Sequence, residues 1–142
     1  MSKMRQYNLN FEQSKAVYER CKQYIKVNHC YNNIFEVVTD YMSNFRSGKW
    51  KIAYGYTGTI PLVYCRHCFI LDENEEVIDP TIFAQPDQSD REYFVMATFE
   101  DVDEYITAIE NEGCYPALNK YLREQDIQAF KWAKENSIIL IP

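Results

Sequence analysis

The chain has little glycine (4) and little proline (5) in its 142 residues, which excludes a collagen-like or linker-like polymer. It holds no apolar run near the ~20 residues that a membrane span needs. Its first residues, Met1-Ser2-Lys3-Met4-Arg5-Gln6-Tyr7, lack an apolar signal-peptide core. There is no internal repeat and no low-complexity tract. A glycine-rich phosphate loop, a dinucleotide fingerprint, a serine nucleophile elbow and a calcium loop are all missing. The cysteines (Cys21, Cys30, Cys65, Cys68, Cys114) are odd in number, so a complete disulfide framework is not expected. These absences leave a single cytoplasmic domain spanning residues 1–142, with no membrane partner.

What is present is ordinary globular material: 46% hydrophobic and 25% charged residues, enough to exclude disorder. A chain of this length can bury roughly 68–70% of its unfolded surface. The net charge of −6 disfavours direct nucleic-acid binding. The charge is uneven. Residues 1–70 hold ten Lys and Arg against four Asp and Glu, whereas residues 71–142 hold five against seventeen. Either the halves neutralise each other on packing, or an acidic face awaits a basic partner and a cationic zone an anionic substrate or protein.

Periodicity predicts a helix from Asn10 to Val27, capped by Asn10, with Phe11, Ala16, Val17, Cys21 and Tyr24 on its buried stripe. A second helix is expected from Cys30 to about Phe45, with Ile34, Val37, Val38, Tyr41 and Phe45 at helical spacing and Gly48 behind it. Strands follow at Trp50 to Tyr56, Ile60 to Leu71 and Val77 to Ile82, the first pair joined by a turn at Thr57-Gly58 and the second by the acidic loop Asp72 to Glu76. Pro80 marks the last of these as short or at an edge. Gln85 to Asp90 reads as a polar loop and Tyr93 to Phe99 as a strand. Helices are expected at Phe99 to Asn111 (capped by Thr98), Pro116 to Arg123 and Asp126 to Asn136. Ile138 to Ile141 reads as a short strand or packed tail. The fold class is α+β around a central antiparallel sheet.

Three residues on these elements suit one chemistry. Cys30 heads a helix, where partial positive charge and free N–H groups favour a thiolate and face a developing oxyanion. His67 lies in a strand and suits the transfer of the thiol proton. Asp79 follows the hairpin and suits orientation of the imidazole. Side chains alternate along strands, so His67 and Asp79 share a face only if paired positions sum to an even number, as a hairpin loop of odd length ensures.

The order Cys30–helix, Tyr54-Gly55-Tyr56, His67-Cys68-Phe69-Ile70, Val77-Ile78-Asp79-Pro80-Thr81 resembles the transglutaminase-like branch of the papain-like cysteine enzymes over residues 30 to 81. The resemblance implies thiol-based acyl chemistry (hydrolysis, deamidation, cross-linking or acyl transfer) on a protein, peptide or small amide substrate. By position, Cys30 matches the nucleophile, His67 the base and Asp79 the orienting acid. Cys68 stands where larger families have Ala or Val.

Around these, Asn33 in the first helical turn and Trp50, Tyr54 and Tyr56 on the next strand are the candidates for substrate contact, against plain backbone satisfaction and sheet packing. His29 is a rival base, but adjacent residues diverge by about 100° on a helix. Gln23 is a rival oxyanion donor. Zinc at Cys65, Cys68, His29 and Cys30 would need a tight knuckle, whereas an extended strand sends Cys65 and Cys68 to opposite faces. No metal and no cofactor is therefore expected. The expected function is a cysteine-nucleophile enzyme with a Cys-His-Asp triad. The alternative is a non-catalytic acidic module on the same scaffold, such as an inhibitor of a basic or nucleic-acid-handling partner.

Overall fold

The computed structural model describes residues 4–85 and 90–142. The chain is α+β, with six strands and five α-helices among the described residues. Strand β1 (Arg5–Tyr7) precedes helix α1 (Phe11–Cys21), whose N-cap Asn10 accepts from the Gln13 backbone at 3.0 Å. The helix ends six residues before Val27. Its buried face is Ser14, Val17 and Cys21, while Phe11 and Ala16 face solvent. Helix α2 (Cys30–Asp40) stops at Tyr41, and a separate α3 (Met42–Arg46) carries Phe45 into the core.

Strands β2 (Lys51–Ile60) and β3 (Val63–Leu71) form the long antiparallel hairpin at the centre. The expected turn at Thr57-Gly58 is strand instead; the chain reverses at Pro61-Leu62, where Leu62 takes φ 67°. Gly55 is required by close approach, since a Cβ there would lie 1.8 Å from the Phe94 carbonyl oxygen. A five-residue acidic loop leads to β4 (Val77–Ile78), and Pro80 turns the chain into a short 3-10 helix (Pro80–Ala84) rather than continuing the strand. The expected loop over 85–90 lies largely outside the described residues.

Strand β5 (Glu92–Phe99) leads to α4 (Val102–Asn111), capped by Asp101 and not Thr98: the Asp101 carboxylate accepts from the Asp103 N–H at 2.8 Å. Pro116 to Leu122 is a run of turns, and the last helix, α5 (Arg123–Glu135), starts three residues earlier than Asp126. The final strand, β6 (Ile139–Ile141), pairs with β3 in parallel, which makes the sheet mixed and not antiparallel throughout. The path through the sheet is β1-β5-β2-β3-β4, with β6 also on β3.

Helices α2 and α4 pack on one face of the sheet through Ile34, Val38 and Tyr105 against Tyr54, Cys68 and Ile70. Helix α5 extends that face with Ala129 and Ala133 beside Tyr56 and Phe94. The opposite face carries the smaller cluster of Ala53, Phe69, Leu71, Val77 and Tyr93. Among the described residues no helix is long and apolar enough to cross a membrane.

Candidate active site

The outer edge of β3 is where sequence and topology make an opening. Strand β6 pairs with residues 63–65 and β4 with residues 70–71, so Arg66 to Phe69 have no strand partner on that side. Cys30, the first residue of α2, approaches His67 at this gap. The register pairs Leu71 with Val77 and Ile70 with Ile78. Odd-numbered residues of both strands therefore share a face, which satisfies the parity condition for His67 and Asp79.

His67 Nε2 meets Asp79 Oδ2 at 2.8 Å. Asp79 is fully buried. The same Oδ2 accepts from the Tyr93 hydroxyl at 2.7 Å. Its backbone N–H donates to Ser14 Oγ at 2.9 Å, and that hydroxyl donates on to the Asn10 carbonyl at 2.7 Å. Burial, then the Asp79 charge, pushes the Tyr93 phenol well up, so it stays an O–H donor.

With Nε2 engaged by Asp79, Nδ1 is the ring nitrogen left for the thiol. Burial acts to discharge the ring. The Asp79 carboxylate, the Cys30 sulfur and hydrogen bonds to both outweigh it and raise the imidazole to about 10. The ring is thus positive at neutral pH, beside the start of a helix whose N-cap, His29, makes no side-chain capping bond.

Cys30, Tyr31, Arg66 and His67 line one cleft of about 690 Å³, with Asn28 and Arg91 on its walls. Cys65 lines the same cleft, whereas Cys21, Cys68 and Cys114 do not. Burial pushes the Cys21 and Cys68 thiols up, Cys68 the more strongly and with Cys30 adding to it. Cys65 and Cys114 are exposed. Cys65 and Cys68 lie on opposite faces of β3, one exposed and one buried, so they cannot share a metal ion. Among the described residues no three His, Cys, Asp or Glu side chains converge as a metal site.

The four expected substrate contacts sit elsewhere. Asn33 is buried; its Nδ2 donates to the Lys26 carbonyl at 2.8 Å and to Thr81 Oγ1 at 3.1 Å, and its Oδ1 accepts from the Lys26 N–H at 3.1 Å. It clamps the start of α2 to the segment after Asp79 and so positions the site from behind. Trp50 packs on Tyr41 and Phe45, away from the cleft. Tyr54 and Tyr56 are fully buried on the sheet face that packs against α2, α4 and α5, donating to the Pro116 carbonyl at 2.6 Å and to Asp126 at 2.7 Å. Gln23 and His29 are exposed and do not line the cleft.

Tyr93, Ser14, Arg66 and Arg91 are not marked as site residues by the pattern alone. Ser14 carries a signal: a polar residue on the stripe shared with Val17 and Cys21 needs a buried partner. Tyr93 carries one only through register, being opposite Thr57 on the odd-numbered face. Compared with known proteins, the chain matches no family model, no curated protein and no solved structure.

Proposed function

We propose that this protein is a cysteine-nucleophile enzyme acting on an acyl or amide bond, on a scaffold of the papain-like, transglutaminase-like kind. One observation carries the reading. A helix-heading thiol and a fully buried carboxylate act on the same imidazole, and thiol and ring both border an open cleft.

In this reading the Cys30 sulfur attacks the substrate carbonyl, and the oxyanion faces the first N–H groups of α2, with Asn28 on the same cleft wall. Collapse breaks the acyl bond while the His67 imidazolium gives its proton to the departing amine, leaving a thioester on Cys30. Water then attacks the thioester as His67 takes its proton, releasing acid and thiol. An amine in place of water would give transfer. Asp79, held by Tyr93 and Ser14, keeps the ring in one orientation and steadies its positive form.

Reaction with p-nitrophenyl acetate tests the acyl step. The expected result is a burst of p-nitrophenolate with acetyl carried on Cys30, absent from Cys30→Ala. An equal burst from Cys30→Ala, or acetyl only on other residues, contradicts the proposal.

A further inference from the structure

The cleft is charged against the sign of the molecule. The chain has a net charge of −6, yet among the described residues no Asp or Glu lines the cleft, while Arg66, Arg91 and His67 do. Arg66 is built in rather than laid on the surface, its side chain only 4% exposed. Its Nε donates to Asp126 Oδ1 at 3.0 Å, and its Nη1 donates to the Tyr31 hydroxyl at 3.1 Å and the Ala117 carbonyl at 2.7 Å. Nη2 is buried with no partner among the described residues.

A buried charged donor without an acceptor is costly, and a bound oxyanion would relieve that cost. The placement matters. Arg66 precedes His67 in the chain, and the hydroxyl it bonds belongs to Tyr31, the residue after Cys30. The unpartnered nitrogen belongs to Arg66, whose guanidinium is bonded to Tyr31, and Cys30, Tyr31, Arg66 and His67 all line the one cleft. Arg91, next to β5, brings a second guanidinium to the same cleft, and its Nε also lacks a partner among the described residues.

We infer that the substrate carries an oxyanion, a carboxylate or phosphate, close to its reacting carbonyl, and that Arg66 and Arg91 seat it. The inference rests on the reading of Cys30 as nucleophile. It narrows the substrate to an anionic acyl or amide compound or an acidic peptide. At longer range, the two guanidiniums and the imidazolium focus positive potential in the cleft.

The test compares iodoacetate with iodoacetamide, which alkylate a thiol by the same displacement of iodide and differ in carrying a carboxylate or a neutral amide. Rates are read at each cysteine by mass spectrometry, with exposed Cys114 as the internal reference. The iodoacetate-to-iodoacetamide ratio at Cys30 should exceed that at Cys114 by about tenfold at low salt, and fall toward it in Arg91→Gln and Arg66→Gln. Succinate protecting Cys30 better than inorganic phosphate would assign a carboxylate, and the reverse a phosphate. A ratio at Cys30 no higher than at Cys114, or one unchanged in Arg91→Gln, overturns the inference. Iodoacetamide alone reads the nucleophile and the ratio reads the anion site, so either failure is seen without the other.

Discussion

Neighbouring residues of β3 carry two ion pairs on opposite faces of the sheet, one buried and one part-buried, and the pairs are built alike. Arg66 Nε meets Asp126 Oδ1 at 3.0 Å, with Tyr56 donating to the same oxygen at 2.7 Å. His67 Nε2 meets Asp79 Oδ2 at 2.8 Å, with Tyr93 donating to the same oxygen at 2.7 Å. The difference is in the proton. A guanidinium stays charged at every physiological pH and has none to give. An imidazole gives and takes one, and here it also faces a sulfur. The first pair ties α5 to the sheet and lends a fixed charge to the cleft. The second, in the proposed reading, handles the proton of the acyl step. Damage to the histidine side should appear as lost activity, and damage to the arginine side as lost stability together with weaker seating of an anionic substrate.

The largest separation should come from Cys30→Ala, which should abolish acyl transfer while changing unfolding free energy by about 1 kcal/mol or less, as checked by activity and urea melts. His67→Ala should slow Cys30 alkylation at neutral pH by about 100-fold, the low end of the range for removing a general acid–base group. On the other face, Arg66→Met should cost about 3–5 kcal/mol of stability by leaving Asp126 without its partner. Arg66→Met with Asp126→Leu should recover most of that loss, again in urea melts. If Arg66→Met melts like the parent chain, the structural half of the comparison is wrong.

The two pairs also diverge with pH. The imidazole near 6.5 in the unfolded chain is raised to about 10 in the fold. Its contribution is full below about 6.5 and is lost as pH rises through about 10. The thermal midpoint should fall across that interval, and the fall should be shallower in His67→Gln. The Arg66 pair contributes no slope there, so Arg66→Met should lower the whole curve without changing its shape. The smallest effect is expected from Tyr93→Phe, which removes one of the donors to the buried Asp79 and should cost about 1–3 kcal/mol with Cys30 alkylation only modestly slowed.

How far each feature is legible in the sequence follows from the range of its signal. Alternation along β3 and β4 and the odd-length acidic loop are local, so the shared face of His67 and Asp79 is legible in the chain itself. Cys30 at a helix start is equally local. The pocket walls are not. Pairing Tyr54 and Tyr56 with their true partners, Cys68 and Arg66, depends on where the β2–β3 hairpin turns. A turn at Thr57-Gly58 would set Tyr56 opposite a residue near Ile60, and the face of both tyrosines is then undetermined. The parallel pairing of β6 and the addition of β1 join residues more than seventy apart, which no local pattern carries. Of the two groups that hold Asp79, Ser14 lies 65 residues away in the chain, and Tyr93, 14 residues away, stands on β5, which pairs with β2 and not with β4. Asn33 follows the plainer of its two readings, backbone satisfaction, but the backbone it satisfies is that of Lys26, in the loop folded back before α2.

The central claim is that sulfur, ring and acid act as one unit, and the alkylation rate of Cys30 by iodoacetamide across pH 5 to 10 reads it most directly. The account predicts that Cys30 in the native chain reacts well ahead of exposed Cys114 already near pH 6, and that this lead disappears in His67→Ala and shrinks in Asp79→Asn. A Cys30 that reacts no faster than Cys114, or that keeps its lead without His67, would contradict it.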